Sequence, residues 1–197
     1  MSIKLGLTGS IGMGKSTTSG FFRDFGVPVW DADAEVHRMY MENPETISAI
    51  AGIAPAAVKK GFVNRAELKS EITKDRGLLP RIEAAIAPAL RQSRAAFQMA
   101  NRSAPLVLFD IPLLFETKAD SWLDYVLVVT APAEVQLARV LARDTMDEAM
   151  LNTILSRQLP DSEKRRRADF VFDTSYGMEQ TKSDVKALIE ALEAENA

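Results

Sequence analysis

The chain has 197 residues, which suits one domain with room for an inserted lobe, and its 47% hydrophobic content argues for a sizeable core and against disorder. A net charge of −3 supplies no global basic field for nucleic acid or a membrane surface, so any anion site must be local. There is no cysteine, which excludes disulfides, cysteine-based zinc sites and thiol catalysis and fits a reducing cytoplasm.

Ile3 to Thr8 is an apolar run that reads as a strand, Gly9 to Gly14 as a glycine-rich turn, and Lys15 to Phe25 as a helix capped by Gly26. The opening Met1-Ser2-Ile3-Lys4 lacks a signal-peptide layout, and no stretch reaches the ~20 apolar residues of a membrane span. Val27 to Trp30 reads as a second strand, followed by Asp31-Ala32-Asp33 and a helix over Ala34–Met41. From Asn43 to Arg102 there is no strong strand signal, only short helical patterns such as Glu45–Ala51 and Arg65–Ile72. Pro88 is expected to start a long helix reaching Ala100. This stretch, about 43–102, is predicted to be a helical lobe inserted into a core of residues 1–42 and 103–197. Pro105–Asp110 and Tyr125–Thr130 are continuous apolar runs, as in strands of a parallel sheet buried on both faces. Helices are expected from Pro132 to about Arg143, from about Asp147 to Gln158 and after Pro160, then a fifth strand at Phe170–Phe172 and an amphipathic helix from Met178 to Glu195. Strands alternating with helices predict an α/β fold of three layers with right-handed crossovers.

Gly9, Gly14, Lys15 and Ser16 fill every fixed position of the phosphate-loop pattern G-x-x-x-x-G-K-[ST]. Backbone N–H groups of such a loop form a concave nest for phosphate oxygens, and the helix opening at Lys15 adds the positive end of its dipole. Gly9, Gly12, Met13, Gly14, Lys15, Ser16 and Thr17 are thus the candidate ATP-binding residues. The Lys15 ammonium is placed for the β- and γ-phosphates, and the Ser16 hydroxyl for Mg²⁺. Ligands of such sheets sit at the carboxyl ends of the strands, where Asp31, Asp33 and Asp110 fall. Asp33 is favoured as a catalytic carboxylate; Asp31 is equally read as a helix cap, and Asp110 as a metal-site or structural residue. Arg139 and Arg143 share one helix face and suit the spread charge of a transferring phosphoryl group. The run Lys164 to Arg167 is expected to face solvent, with Asp161 and Glu163 as partners. His37, Trp30 and Trp122 are read as structural, and the Met and Phe residues as core.

The loop alone allows kinases, GTPases and ATP-driven machines, but the guanine-reading N-K-x-D pattern is absent and the chain is short for a motor. A helical insertion plus a late arginine-bearing helix suggests a small-molecule kinase with an acceptor lobe and a lid. A kinase of a nucleoside or sugar, and a nucleotide switch without an acceptor, are the alternatives.

Gly6–Thr17, Asp31-Ala32-Asp33, Gly61–Arg65 with Leu68, Asp110–Glu116, Arg139 with Arg143, and Arg157-Gln158 with Lys164 and Ala168-Asp169 together carry a resemblance, over nearly the whole chain, to the dephospho-coenzyme A kinase family. Gly6 to Thr17 is close to its G-L-T-G-G-I-G-S-G-K-S-T, and Asp31-Ala32-Asp33 matches its D-A-D. Gly61-Phe62-Val63-Asn64-Arg65 with Leu68 looks like its G-x-[LV]-[DN]-R-x-x-L. Asp110 to Glu116 is similar to its D-[VI]-P-L-L-F-E, Arg139 and Arg143 match its paired lid arginines, and Arg157-Gln158, Lys164 and Ala168-Asp169 follow its R-x-Q…K…A-D tail. Departures are Ser10, Lys60, Ala87 before Pro88, and Thr174-Ser175-Tyr176. The resemblance implies a P-loop nucleoside-kinase-like fold with a five-stranded parallel sheet, a helical acceptor lobe and a lid at about 139–168. It implies ATP and Mg²⁺, phosphorylation of the ribose 3′-hydroxyl of dephospho-CoA, Asp33 as base, and Lys15, Arg139 and Arg143 on the phosphoryl group. Asp31, Arg65, Asp110, Pro112, Leu113 and Glu116 would lie on the acceptor side. Small molecules are the expected partners, with no nucleic acid or membrane, in the cytoplasm.

Overall fold

A computed structural model describes residues 2–143 and 146–195. Its main sheet is assembled from β1 (Ile3–Thr8), β2 (Val29–Asp31), β5 (Leu106–Asp110), β6 (Tyr125–Thr130) and β7 (Phe170–Asp173), in the order β2-β5-β1-β6-β7. The β1–β5, β1–β6 and β6–β7 pairs are parallel, with Leu5 opposite both Leu108 and Tyr125. Side chains alternate across a strand. One set, Leu5, Leu7, Leu106, Leu108, Leu127 and Val129, packs with Phe22 of α1 (Lys15–Asp24) and with Val185, Leu188, Ile189 and Leu192 of α9 (Met178–Glu195). The other set includes Phe109, whose ring lies 4.9 Å from Trp122 edge-on and 6.0 Å from Trp30, so both tryptophans pack as expected. Between β6 and β7 the chain forms α6 (Ala133–Leu141), α7 (Glu148–Leu155) and α8 (Asp161–Arg167). The three helices expected between the fourth and fifth strands are present, the first two ending two to three residues before the expected Arg143 and Gln158.

Two compact units emerge: residues 1–30 with 101–197, and residues 31–100. The second unit holds α2 (Ala32–Glu42), α3 (Pro44–Ile53), α4 (Arg65–Lys74) and α5 (Leu78–Ala100). Its apolar core contains Tyr40, Ile50, Ala54, Ala57, Val63, Leu68, Leu78, Ile82 and Ile86. Asp31, Asn43 and Asn64 cap three of its helices, each accepting a backbone N–H three residues on at 2.8–3.1 Å.

Two expectations for this region are corrected. A small antiparallel hairpin, β3 (Val58–Lys59) and β4 (Phe62–Val63), stands where no strand was expected. Its strands are two residues long, too short for an alternation signal. Lys60 and Gly61 form its turn with φ of 54° and 83°, the positive values of a tight hairpin turn. Pro88 does not start the long helix; α5 begins ten residues earlier and runs through it. Pro88 forfeits one backbone hydrogen bond, at ~3 kcal/mol in a helix interior. Continuing the helix aligns Leu78, Ile82 and Ile86 on the core, and each such burial stabilises by ~1.5–3 kcal/mol, so packing wins.

Candidate active site

The phosphate loop bridges β1 and α1. Gly12 and Gly14 take φ of 80° and 87°, which places the loop amides inward at little steric cost only without a Cβ. Gly9 permits a close approach: a Cβ there would stand 2.7 Å from the Val129 carbonyl oxygen. Lys15 and Ser16 open α1, with Ser16 and Thr17 in solvent and Met13 buried beneath the loop. The Lys15 ammonium is ion-paired with Asp110, which ends β5 beside Leu7 and is almost fully buried.

Long-range side chains grip the loop backbone. Gln136 Nε2 of α6 donates to Ile11 O at 2.7 Å, and Ile11 N–H donates to Gln158 Oε1 at 3.4 Å. Thr174 Oγ1, buried behind the loop, lies 3.1 Å from Met13 O and 3.3 Å from Thr130 O as a donor, and accepts from Arg139 Nη1 at 2.8 Å. Arg139 also donates to Thr174 O at 2.8 Å and reaches Gly12 O at 3.5 Å. Arg139 and Arg143 line a cavity of about 330 Å³ with Gly12, Gly14, Thr17, Thr174, Gly177, Met178 and Thr181. That volume is in the range of a small-ligand pocket. Sequence reasoning missed Gln136 and the bracing role of Thr174. A polar residue on the buried side of an amphipathic helix was the only available signal for Gln136.

Other candidates fall as follows. Thr8 Oγ1 donates to Pro112 O at 3.0 Å, fixing the start of the Pro112–Glu116 segment on β1, while the Leu113 side chain is exposed. Glu116 Oε1 accepts Leu159 N–H at 2.7 Å. Lys164, expected in solvent, is fully buried and stands 3.1 Å from Glu116; the expectation is corrected for this residue. It holds for Arg165, Arg166 and Arg167, which are exposed. Glu163 accepts from Arg166 and Arg167, and these bonds lower its carboxyl to a pKa of about 2. Within the helical unit Asp31 caps α2 through Ala34 N–H, Asp33 and His37 are exposed on α2, and Arg65 is exposed at the start of α4. Burial pushes the Tyr40 hydroxyl up, and the charge of Arg65 opposes that shift. Arg38 holds the Glu35 carboxyl below the usual range, with a further bond from Ser93 Oγ at 2.6 Å. Of the segment 139–168 read as a lid, Asp144 and Thr145 lie outside the described residues.

The phosphate loop, its paired lysine and carboxylate, and an arginine-lined cavity thus meet at the end of β1. Comparison with known proteins decides the family. The family model described as Dephospho-CoA kinase matches residues 3–180. The chain belongs to the dephospho-CoA kinase family. A dephospho-CoA kinase of Cereibacter sphaeroides is 50% identical over 186 residues, 94% of this chain and 93% of that one. One from a Jannaschia strain is 48% identical over 192 residues, 98% of each. Among solved structures, a Thermus thermophilus protein matches with a TM-score of 0.82 at 35% identity, covering 97% of this chain and 98% of that one. The fold is shared with a Campylobacter jejuni dephospho-CoA kinase at a TM-score of 0.75 and 24% identity, with full coverage of both. This member of the dephospho-CoA kinase family is therefore a phosphotransferase with a P-loop kinase fold, and no helix among the described residues is long and apolar enough to cross a membrane.

Proposed function

We propose that the protein transfers the γ-phosphoryl group of ATP to the ribose 3′-hydroxyl of dephospho-CoA, giving coenzyme A and ADP as the last step of coenzyme A synthesis. The observation that carries this is a complete phosphate loop, ion-paired to Asp110, in a chain half identical to a dephospho-CoA kinase over nearly its full length. Asp33 accepts the proton of the 3′-hydroxyl as its oxygen bonds to the γ-phosphorus, and the bond from that phosphorus to the β–γ bridging oxygen breaks, with no covalent enzyme intermediate. The Lys15 ammonium exchanges Asp110 for phosphate oxygens, and Arg139 and Arg143 share the charge of the transferring group. The loop residues Gly9 and Gly12 to Thr17 cradle the phosphates. Ser16 and Asp110 offer hard oxygen donors that fit Mg²⁺, which neutralises phosphate charge when bound. No cluster of three or more His, Cys, Asp or Glu that could cage a metal occurs among the described residues, in keeping with a cation that arrives on the nucleotide.

The lobe at about 43–102, with Asp31 and Arg65, and the Asp110, Pro112 and Leu113 segment receive the acceptor. Residues 139–168 act as the lid, and the setting is cytoplasmic with small molecules as partners. The test is ADP release with Mg·ATP, with and without dephospho-CoA, plus mass spectrometry of the product. Acceptor-dependent ADP and a gain of ~80 Da, one phosphoryl group in place of a proton, are expected. ADP release indifferent to dephospho-CoA would overturn the reading.

A further inference from the structure

The resemblance sets the Asp110–Glu116 stretch beside the acceptor, but the Glu116 carboxylate reaches elsewhere. Its Oε1 accepts Leu159 N–H at 2.7 Å and stands 3.1 Å from the Lys164 ammonium. Lys164 has no exposed surface, while its neighbours Arg165 to Arg167 lie in solvent. An ammonium is buried at a large desolvation cost unless a counter-charge meets it, so this one position of a basic run is turned inward against its solvation preference. The geometry explains what that achieves. Leu159 lies just before α8 and Lys164 in its first turn, and one carboxylate oxygen hydrogen-bonds the former and is ion-paired with the latter. At the start of α8 Asp161 Oδ2 accepts from Thr130 Oγ1 at 2.8 Å, tying it to the end of β6. The residue before Leu159 is Gln158, whose Oε1 accepts the Ile11 N–H, while Ile11 O accepts from Gln136. The Ile11 backbone is thus held at its N–H and at its C=O, the N–H by a side chain whose backbone Glu116 anchors.

We propose that Glu116 and Lys164 are a positioning pair for the phosphate loop: they fix the segment 158–164, which leads into and begins α8, so that Gln158 holds the Ile11 N–H in its nucleotide-binding conformation. This rests on the loop as the nucleotide site and not on the identity of the acceptor. Glu116→Gln keeps the shape and an acceptor for Leu159 N–H but leaves the Lys164 charge unmatched. Lys164→Met keeps the aliphatic bulk and strands the Glu116 charge. The double variant removes both charges, and a buried pair replaced as a whole is far better tolerated than one broken on one side.

Affinity for Mg·ADP is measured by calorimetry without acceptor, followed by KM for ATP and for dephospho-CoA and by the melting temperature. Each single variant is expected to weaken Mg·ADP about 10-fold, equivalent to ~1.4 kcal/mol. The double variant regains most of the loss, and KM for dephospho-CoA stays unchanged. Gln158→Leu weakens Mg·ADP to the same degree and adds little on top of Glu116→Gln, because the two act through one contact; this variant keeps the test open if Lys164→Met does not fold. Unchanged Mg·ADP affinity with only a lower melting temperature would reduce the pair to a structural role and overturn the proposal. A raised KM for dephospho-CoA in Glu116→Gln alone would overturn it in favour of an acceptor contact. If the wild type binds Mg·ADP but does not phosphorylate dephospho-CoA, the proposed reaction fails, and the calorimetry still decides the pair.

Discussion

Around the phosphate loop, side chains reach the loop backbone across the whole chain: Gln136 meets Ile11 from 125 positions away, and Thr174 meets Met13 from 161. In the helical unit the side-chain bonds to backbone are local: Asn43 and Asn64 each cap a helix by serving an N–H three residues on, Thr73 Oγ1 donates to Lys69 O one turn back, and Asp75 accepts from Gly77 N–H. The first region spends its polar side chains on holding one loop conformation. The second is held by an apolar core and by local helix starts. A buried polar brace left unmatched is costly and directional, whereas an apolar core tolerates small shifts. The contrast therefore separates a part of the molecule where geometry is fixed from a part where bulk stability is supplied.

Substitutions in each region can break that contrast. The largest effect is expected from Asp33→Asn: turnover falls by roughly 10²–10⁴-fold, the usual worth of a general base, while calorimetry shows nucleotide affinity retained. Unaltered turnover would remove Asp33 from that role and leave the helical unit without reacting groups. Lys15→Ala should lower kcat/KM for ATP by roughly 10²–10³-fold, as loss of one charge-stabilising donor does. Ile50, fully buried in the helical core, gives the opposite signature. Ile50→Ala is expected to cost about 2–5 kcal/mol in denaturant unfolding with Mg·ADP affinity unchanged. A kinetic defect at the nucleotide site in that variant would erase the distinction between the regions.

Thr174→Val tests the braces directly. It removes the single hydroxyl proton shared between Met13 O and Thr130 O and the oxygen that accepts from Arg139 Nη1, at ~1–3 kcal/mol for an unmatched buried group, and should weaken Mg·ADP about 10-fold by calorimetry. The smallest effect lies in the hairpin. Lys60 holds a left-handed conformation that asparagine adopts more readily, so Lys60→Asn should raise the unfolding free energy by about 1 kcal/mol or less, with kinetics untouched.

The same contrast explains what the sequence made legible. The phosphate loop, the buried strands, the Asp31 cap and the final helix follow from patterns a few residues long. Gln136 and Thr174 act over more than a hundred positions, and no local period marks them. Lys164 misled because a four-residue basic run gives no sign of which member turns inward; its counter-charge, Glu116, lies on another segment. Pro88 misled in the other direction. Its backbone defect is local and visible, while the burial of Leu78, Ile82 and Ile86 that outweighs it is tertiary.

The strand order carries a consequence for synthesis on the ribosome. β1 and β2 are both made within the first 31 residues, yet in the sheet β5 stands between them. Ile3 pairs with Leu106, and β1's other neighbour is β6, which comes later still. At ~5–20 residues per second of translation, β1 emerges several seconds before either partner. Residues 31–100 suffer no such delay, because the groups that fill their core all lie within that stretch. The unit inserted into the sheet is thus complete before the first pair of sheet strands can form, and the apolar phosphate-loop strand is the segment left waiting, open to chaperones in the interval.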